Sequence, residues 1–246
     1  DVPVDPGAPT DEGPETASDP GEPDVAPPED AGEPDGDVAA SPCPSDMVLV
    51  ESVCMDRYEA SRPDATATSV GIDGARATSR AGVLPWHVQT MNKAVLDTFA
   101  LACANADKRL CTADEFLDAC EGPNGNTYFF GNTWDREKCN CVDSFCDDWC
   151  AAQGIAVCDT ASDCGYRYNC LRLVATGAFP ECTNEYGLYD INGNVWEVVP
   201  YDDERGYQVR GGAYNCAGAI QRLQCGFNAT WNGLMAGFRC CKDPES

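Results

Sequence analysis

Seventeen cysteines, all between positions 43 and 241, stand against a single histidine, His87. Sulfur in that quantity does one of two things: it cross-links an exported chain, or it ligates metal. One histidine cannot sustain Cys/His zinc sites, so the pattern reads as several disulfides formed in an oxidising compartment. Cysteine-only zinc sites are the alternative. Because seventeen is odd, one sulfur at least is free, ligated or paired to another chain. A second chemistry-bearing stretch is "YGLYDINGNVWEVV", residues 186–199. Asp190 and Glu197 are close enough to repel each other unless a cation joins them. The carbonyls of Gly193 and Val195 between them complete a hard, all-oxygen set of the kind Ca²⁺ prefers. The plainer reading is a glycine turn anchored by a buried Trp196, since aromatics bury large areas in loop-rich folds. Trp196 as a wall of a substrate groove is the sharper one. A lone His87 after "LPW" reads as structural.

These residues must be positioned by elements that are sparse in the sequence. "MVLV" and "VCMDRYEA" read as short strands, with Cys43 and Cys54 flanking the first and placed to close a small disulfide loop. Residues 62–82 form a long Gly/Ser/Thr/Ala loop. From 88 to 106, Met91, Val95, Phe99 and Cys103 recur about every fourth position, a helix stripe. Thr112 followed by Glu115 is a capping box, and Phe116, Leu117 and Cys120 continue one face of a second helix. Cys103 and Cys111 are near enough in sequence to tie the two helices together. Residues 121–185 show no period and read as irregular chain stapled by cysteines. "YQVRGG" and "GFRCC" read as strands again. Two helices, a few short strands and much irregular chain make an α+β domain.

Charge and composition narrow the function classes. The formal net charge is −25, and residues 1–42 carry 13 Asp and Glu with 10 Pro and no Lys, Arg or aromatic residue. Such a segment cannot offset its ordering entropy by burial, so it reads as a disordered, extended tether before a domain spanning 43–246. The acidic balance excludes nucleic acid as a partner, and no apolar run is long enough for a transmembrane helix. The expected partner is an extracellular protein or glycan. The expected location is extracellular, periplasmic or cell-surface, with residues 1–42 as the tether. Asn228-Ala229-Thr230 fits a glycosylation sequon, which matters only in a eukaryotic secretory pathway.

The order of motifs, "MVLVESVCMDRYEAS", "LPW", "KRLCTADEFLDACEG", "YFFGNTWDREKCN", "VATGAFPECTNEYGLYDINGNVWEV", "VRGGAYN" and "GFRCC", resembles the formylglycine-generating enzyme family, or sulfatase-modifying factor domain, over residues 43–242. The resemblance implies a variant of the C-type lectin-like fold with two helices and small sheets. It implies an activity that converts a protein cysteine to formylglycine with copper and oxygen. It implies calcium at Asp190, Gly193, Val195 and Glu197, and part of a second calcium site at Asn140 and the Cys141 carbonyl, its other ligands falling within 143–166. It implies a Cys120–Cys240 disulfide and places Arg210 in the groove. Cys216 falls on the family's first copper-binding cysteine. The second position is Gln221, the motif serine is Ala213, and Cys225 is the next cysteine available to pair with Cys216. On this reading the domain is a non-catalytic binding or structural module with structural calcium. A copper-dependent oxidase acting on protein cysteine is the alternative, and a carbohydrate-binding lectin-like module is another.

Overall fold

The computed structural model describes residues 41–154, 170–216, 221–230 and 235–245. Among the described residues there are three sheets and three helices, with irregular chain between them. The first sheet holds β1 (Met47–Val50), β2 (Val53–Asp56), β5 (Arg109–Leu110) and β10 (Cys240–Lys242), in the order β1-β2-β10-β5, all antiparallel. A two-stranded ladder pairs β3 (Ala60–Ser61) with β4 (Thr78–Ser79). In the other four-stranded sheet the order is β8-β7-β6-β9, from β6 (Trp196–Pro200), β7 (Tyr207–Arg210), β8 (Asn228–Ala229) and β9 (Ala236–Gly237). β9 lies parallel to β6.

Each helix has a local reason. Helix α1 (Lys93–Ala104) starts where the Asn92 side chain accepts the Val95 N–H, and it buries Leu96, Phe99, Ala102 and Cys103. Helix α2 (Ala113–Glu121) carries the full capping box: Thr112 Oγ1 accepts from Glu115 N, and the Glu115 carboxylate accepts from Thr112 N. Such reciprocal capping satisfies two orphan donors at once. Helix α3 (Val142–Ala152) was expected to be irregular chain. Its buried side is Val142, Cys146 and Cys150, which is helical spacing written mostly in cysteine. So the described residues hold three helices where the sequence suggested two. The expectation for 186–199 also changes at its end, because Trp196–Pro200 is a strand and nearly all of it is buried.

Apolar packing forms around two aromatic foci. In one, Phe99 of α1 stacks on Phe238 at 4.1 Å, and Trp86 meets both rings edge-on. Trp196 belongs to the same cluster. The other gathers Phe116 of α2, Phe129, Leu188 and Ile191 against Val50 and Met55. Near the two ends of the folded chain, Glu245 N donates to Pro42 O at 2.9 Å.

Disulfides join these parts, and they correct most of the expected pairings. Cys43 is joined to Cys54 around β1. Cys103 pairs with Cys240 and Cys111 with Cys241, not Cys103 with Cys111. Cys120 pairs with Cys225, not with Cys240, and this also takes Cys225 away from Cys216. The reason lies in β10. Successive residues of a strand face opposite sides, so Cys240 turns toward α1 while Cys241 turns toward Cys111, just after β5. Cys139–Cys182 and Cys146–Cys170 secure the irregular half. Cys150 and Cys216 are disulfide-bonded as well, and among the described residues Cys141 is the free thiol.

Candidate metal and redox site

The segment 190–197 is a buried acid cluster. Asp190, Glu197 and Glu59 are all nearly without solvent exposure. The positive charge that the carboxylates demand is a side chain: Arg239, between β9 and β10. Its Nε donates to both Glu197 oxygens at 3.2 and 3.1 Å, and its Nη2 donates to Oε1 at 2.8 Å. Its remaining donors reach Asp56 O and Tyr189 O, each at 2.8 Å. A guanidinium thus stands where the sequence reading put a divalent ion at Glu197. Asp190 Oδ2 accepts from Gly177 N at 2.6 Å. Glu59 accepts from Asn194 Nδ2 at 2.7 Å and Val195 N at 3.1 Å. Burial pushes the Asp190 carboxyl up to about 7, and burial together with Asp190 and Glu197 holds Glu59 well above the ordinary range. For Arg239, burial acts to lower the pKa, and Glu197 outweighs it.

Gly193 and Asn194 shape the turn rather than a ligand shell. Gly193 has φ +85°, and a Cβ there would overlap the Asn140 carbonyl oxygen. Only glycine takes that conformation without strain at such close approach. Asn194 N donates to Asn140 O, and Asn194 Oδ1 accepts from Asn140 Nδ2 and Val174 N. Asn140 Nδ2 also reaches Arg172 O, so its orientation is fixed and its Oδ1 is left buried with no partner. Next to it, burial and then Asp143 push the free Cys141 thiol up to about 12. Part of the 143–166 stretch expected to complete a site here lies outside the described residues.

Trp196 is 1% exposed, so it is core and lines no groove. His87 is half-buried with Nδ1 3.1 Å from Pro85 O, and burial lowers its pKa. In the "RGGAYNC" segment Cys216 and Ala213 are buried, while Gln221 is exposed at the start of a short 3-10 turn. Cys216 is bound in a disulfide and offers no thiolate.

The donor group that sequence reasoning missed lies elsewhere. Cys111, Glu115 and Cys241 place two sulfurs and a carboxylate oxygen within 4.8 Å of one another. The end of β5, the first turn of α2 and the centre of β10 bring them together. The expectation that metal chemistry fails for want of a second cysteine at Gln221 is therefore corrected: a two-cysteine, one-carboxylate cluster is present, built from other positions. The two sulfurs are joined in the Cys111–Cys241 disulfide. Glu115 accepts from Arg109 Nη1 and Nη2 at 2.8 and 2.6 Å, and these bonds and its cap hold its pKa below the ordinary value against the effect of burial. A depression of about 400 Å³ beside the cluster is lined by Lys108, Arg109, Cys241 and Lys242 among others. Spacing in the sequence gave no hint of this group, because 130 residues separate its two cysteines.

The model of the sulfatase-modifying factor enzyme 1-like domain matches residues 90–244. The chain belongs to that family. The family is thus shown for most of the folded region, and with it the mixed α+β arrangement of small open sheets. Among solved structures, the chain is similar to CarF, at 16% identity over 79% of this chain and 87% of that one, with a TM-score of 0.47. It is similar to Treponema denticola variable protein 1, at 14% identity over 78% and 84%, with a TM-score of 0.45. It is also similar to PvdO from Pseudomonas aeruginosa, at 17% identity over 78% and 80%, with a TM-score of 0.44. No curated protein matches the chain. Among the described residues, no helix is long and apolar enough to cross a membrane.

Proposed function

We propose that this domain is a copper-dependent oxidase of the formylglycine-generating type that acts on a cysteine of another protein, and that Cys111, Cys241 and Glu115 hold its metal. The observation that carries the reading is the convergence of these three donors within 4.8 Å. Two thiolates are soft ligands suited to Cu(I). A cystine is not a thiolate, so the donor set fits the ion only after an external dithiol exchanges with the Cys111–Cys241 bond, giving up two electrons and two protons to leave two thiols here and a disulfide on the dithiol. Copper would supply the redox chemistry with oxygen. What the chain supplies is position. The capping box and the Arg109 fork fix Glu115, the strand fixes Cys241, and the adjoining depression gives a substrate thiol a route to the cluster. The rest of the reading is an exported domain on an acidic, Pro-rich tether formed by residues 1–42. Its disulfides support an oxidising compartment.

The test is a Cu(I) titration of the native protein and of protein in which Cys111–Cys241 has been selectively reduced, followed by turnover of a cysteine peptide under oxygen. Stoichiometric Cu(I) binding is expected only after reduction, lost in Cys111→Ser and weakened in Glu115→Gln, with turnover following occupancy. A pair that resists reduction until the fold melts, or a reduced protein that binds no copper, would make the cluster a structural cross-link.

A finer reading applies to Asn140. Its unpartnered Oδ1, fixed in place by two bonds from its own Nδ2, supports a cation next to the Cys141 carbonyl, for which calcium is the hard-oxygen choice. A melting temperature unmoved by either chelator or millimolar calcium would remove it.

A further inference from the structure

Between α2 and α3 the chain turns tightly at Tyr128 and Gly131, each donating its N–H to the other's carbonyl at 2.9 and 3.0 Å. Asn132 clamps the turn: its Oδ1 accepts from Thr127 N and Thr127 Oγ1, at 2.9 and 3.1 Å. Three rings meet there. Phe130 and Trp134 lie 5.7 Å apart, centroid to centroid, and are inclined by 54°. Tyr128 touches both, at 5.9 and 5.3 Å. Tyr128 is buried, whereas Phe130 and Trp134 stay half-buried and line a depression of about 720 Å³, within the roughly 300–1,000 Å³ of small-ligand sites. Asp135, Arg136, Lys138 and Asp143 line it too. Its two cations are answered by acids outside it: Lys138 pairs with Glu181, and Arg136 lies 3.8 Å from Asp148. Asp135 is exposed, its carboxylate accepts the Glu137 N–H at 3.0 Å, and among the described residues it forms no ion pair. Its field reaches Lys138, but that ammonium is held by Glu181. Four acids therefore surround two cations beside an aromatic corner.

We propose that this depression binds a lysine or arginine side chain presented by a basic peptide segment, with Trp134 and Phe130 as its walls and Asp135 as its counter-ion. The face of an aromatic ring is negative, so it attracts a cation, tryptophan most strongly. The alkyl stem of such a side chain packs on the same rings while its charged end reaches a carboxylate. A neutral apolar ligand would leave Asp135 unanswered, and an anion would meet the surplus of acid. A chain of net charge −25 also draws basic partners toward it. The turn and its Asn132 clamp fix the rings beforehand, so binding orders little new structure. The depression shares no residue with the Cys111–Glu115–Cys241 group, so the proposal does not depend on the copper reading.

Four blocked peptides test this on the full chain: acetyl-Ala-Lys-Lys-Ala-amide, its arginine counterpart, its norleucine counterpart, which keeps the stem without the charge, and its glutamate counterpart. Calorimetry at about 0.15 M salt screens attraction from distant acids. At least one basic peptide should bind saturably, and the norleucine and glutamate peptides at least about tenfold more weakly. Asp135→Asn removes the charge and keeps an oxygen for the Glu137 N–H, and Trp134→Leu removes the ring face. Each should weaken binding of the basic peptide about 5- to 30-fold, as expected for a charge-assisted bond or a partly desolvated cation–π contact. Trp134→Phe keeps a weaker face and should fall between wild type and Trp134→Leu. Asp135→Asn should melt with wild type, so its loss of binding reports on the site even if Trp134→Leu loosens the fold. Failure of both basic peptides to bind, equal binding of the norleucine peptide, preference for glutamate, or unchanged affinity in Asp135→Asn would each overturn the proposal. So would Trp134-dependent binding of a neutral tetrasaccharide in their place.

Discussion

Replacing Arg239 with methionine removes the cation that, among the described residues, pairs directly with the 190–197 acid cluster. Five hydrogen bonds go with it: three to Glu197, one to Asp56 O and one to Tyr189 O. Breaking one side of a buried ion pair costs about 3–5 kcal/mol, because the remaining charge is left uncompensated. With a urea slope of about 2 kcal/mol per molar for a domain of this size, the unfolding midpoint should fall by about 2 M at pH 7.5. The penalty should depend on pH in a definite direction. Burial already raises the Asp190, Glu59 and Glu197 carboxyls, and loss of Arg239 raises them further. As pH falls they take up protons and the uncompensated charge diminishes. Two orphaned carbonyls remain, so roughly 1–2 kcal/mol of the loss should persist. Urea titrations of wild type and variant at both pH values measure this. A cost below about 1 kcal/mol at pH 7.5, or one that does not shrink at pH 5, would show that Arg239 is not the counter-ion of the cluster.

Asp190 has a folded-state pKa of about 7 against an ordinary 3.8, so its contribution to stability is full below about pH 4 and is lost as pH rises through 7. At about 1.4 kcal/mol per pH unit this is at most about 4 kcal/mol, and Asp190→Asn should flatten the stability-against-pH curve over that window in urea titrations. Gly193→Ala puts a Cβ into the Asn140 carbonyl oxygen at φ +85°; a loss of about 2–4 kcal/mol is expected, read as a lowered melting temperature. Cys141 is buried with its pKa pushed up to about 12, so iodoacetamide at pH 8 should leave it unmodified in the native protein and modify it in denaturant without reductant. Peptide mapping that finds Cys141 alkylated in the folded state would refute this.

Local signals in the sequence were legible wherever one element carried its own mark. The Thr112–Glu115 pair announced α2, and the 91–103 stripe announced α1. Helix α3 escaped because its buried stripe is Val142, Cys146 and Cys150, and cysteines read as staples hide an apolar period. The strand at Trp196–Pro200 escaped because the polar turn before it dominated the reading. That the 190–197 acids need a positive charge could be read from two carboxylates in one turn. Its source could not, because Arg239 lies 42 residues beyond Glu197. Disulfide partners were equally hidden. Adjacent Cys240 and Cys241 differ only by which face of β10 they occupy, and that face exists only once the strand is paired. The Cys111–Glu115–Cys241 group is a product of the same pairing.

The hydrogen bond from Glu245 N to Pro42 O means that the backbone enters and leaves the fold at one doorway. Polypeptide joined on either side of the folded region departs from the same spot, so the domain can hang from a longer chain as a bead hangs from a single knot, with the rest of its surface turned away from the junction. The same geometry makes the domain a natural insert. Grafted into an exposed loop of a host protein, it would hold the loop's two ends only a few ångströms apart. Joining the ends by a short linker and opening the chain elsewhere in a surface loop, such as 62–76, should likewise leave the sheets intact.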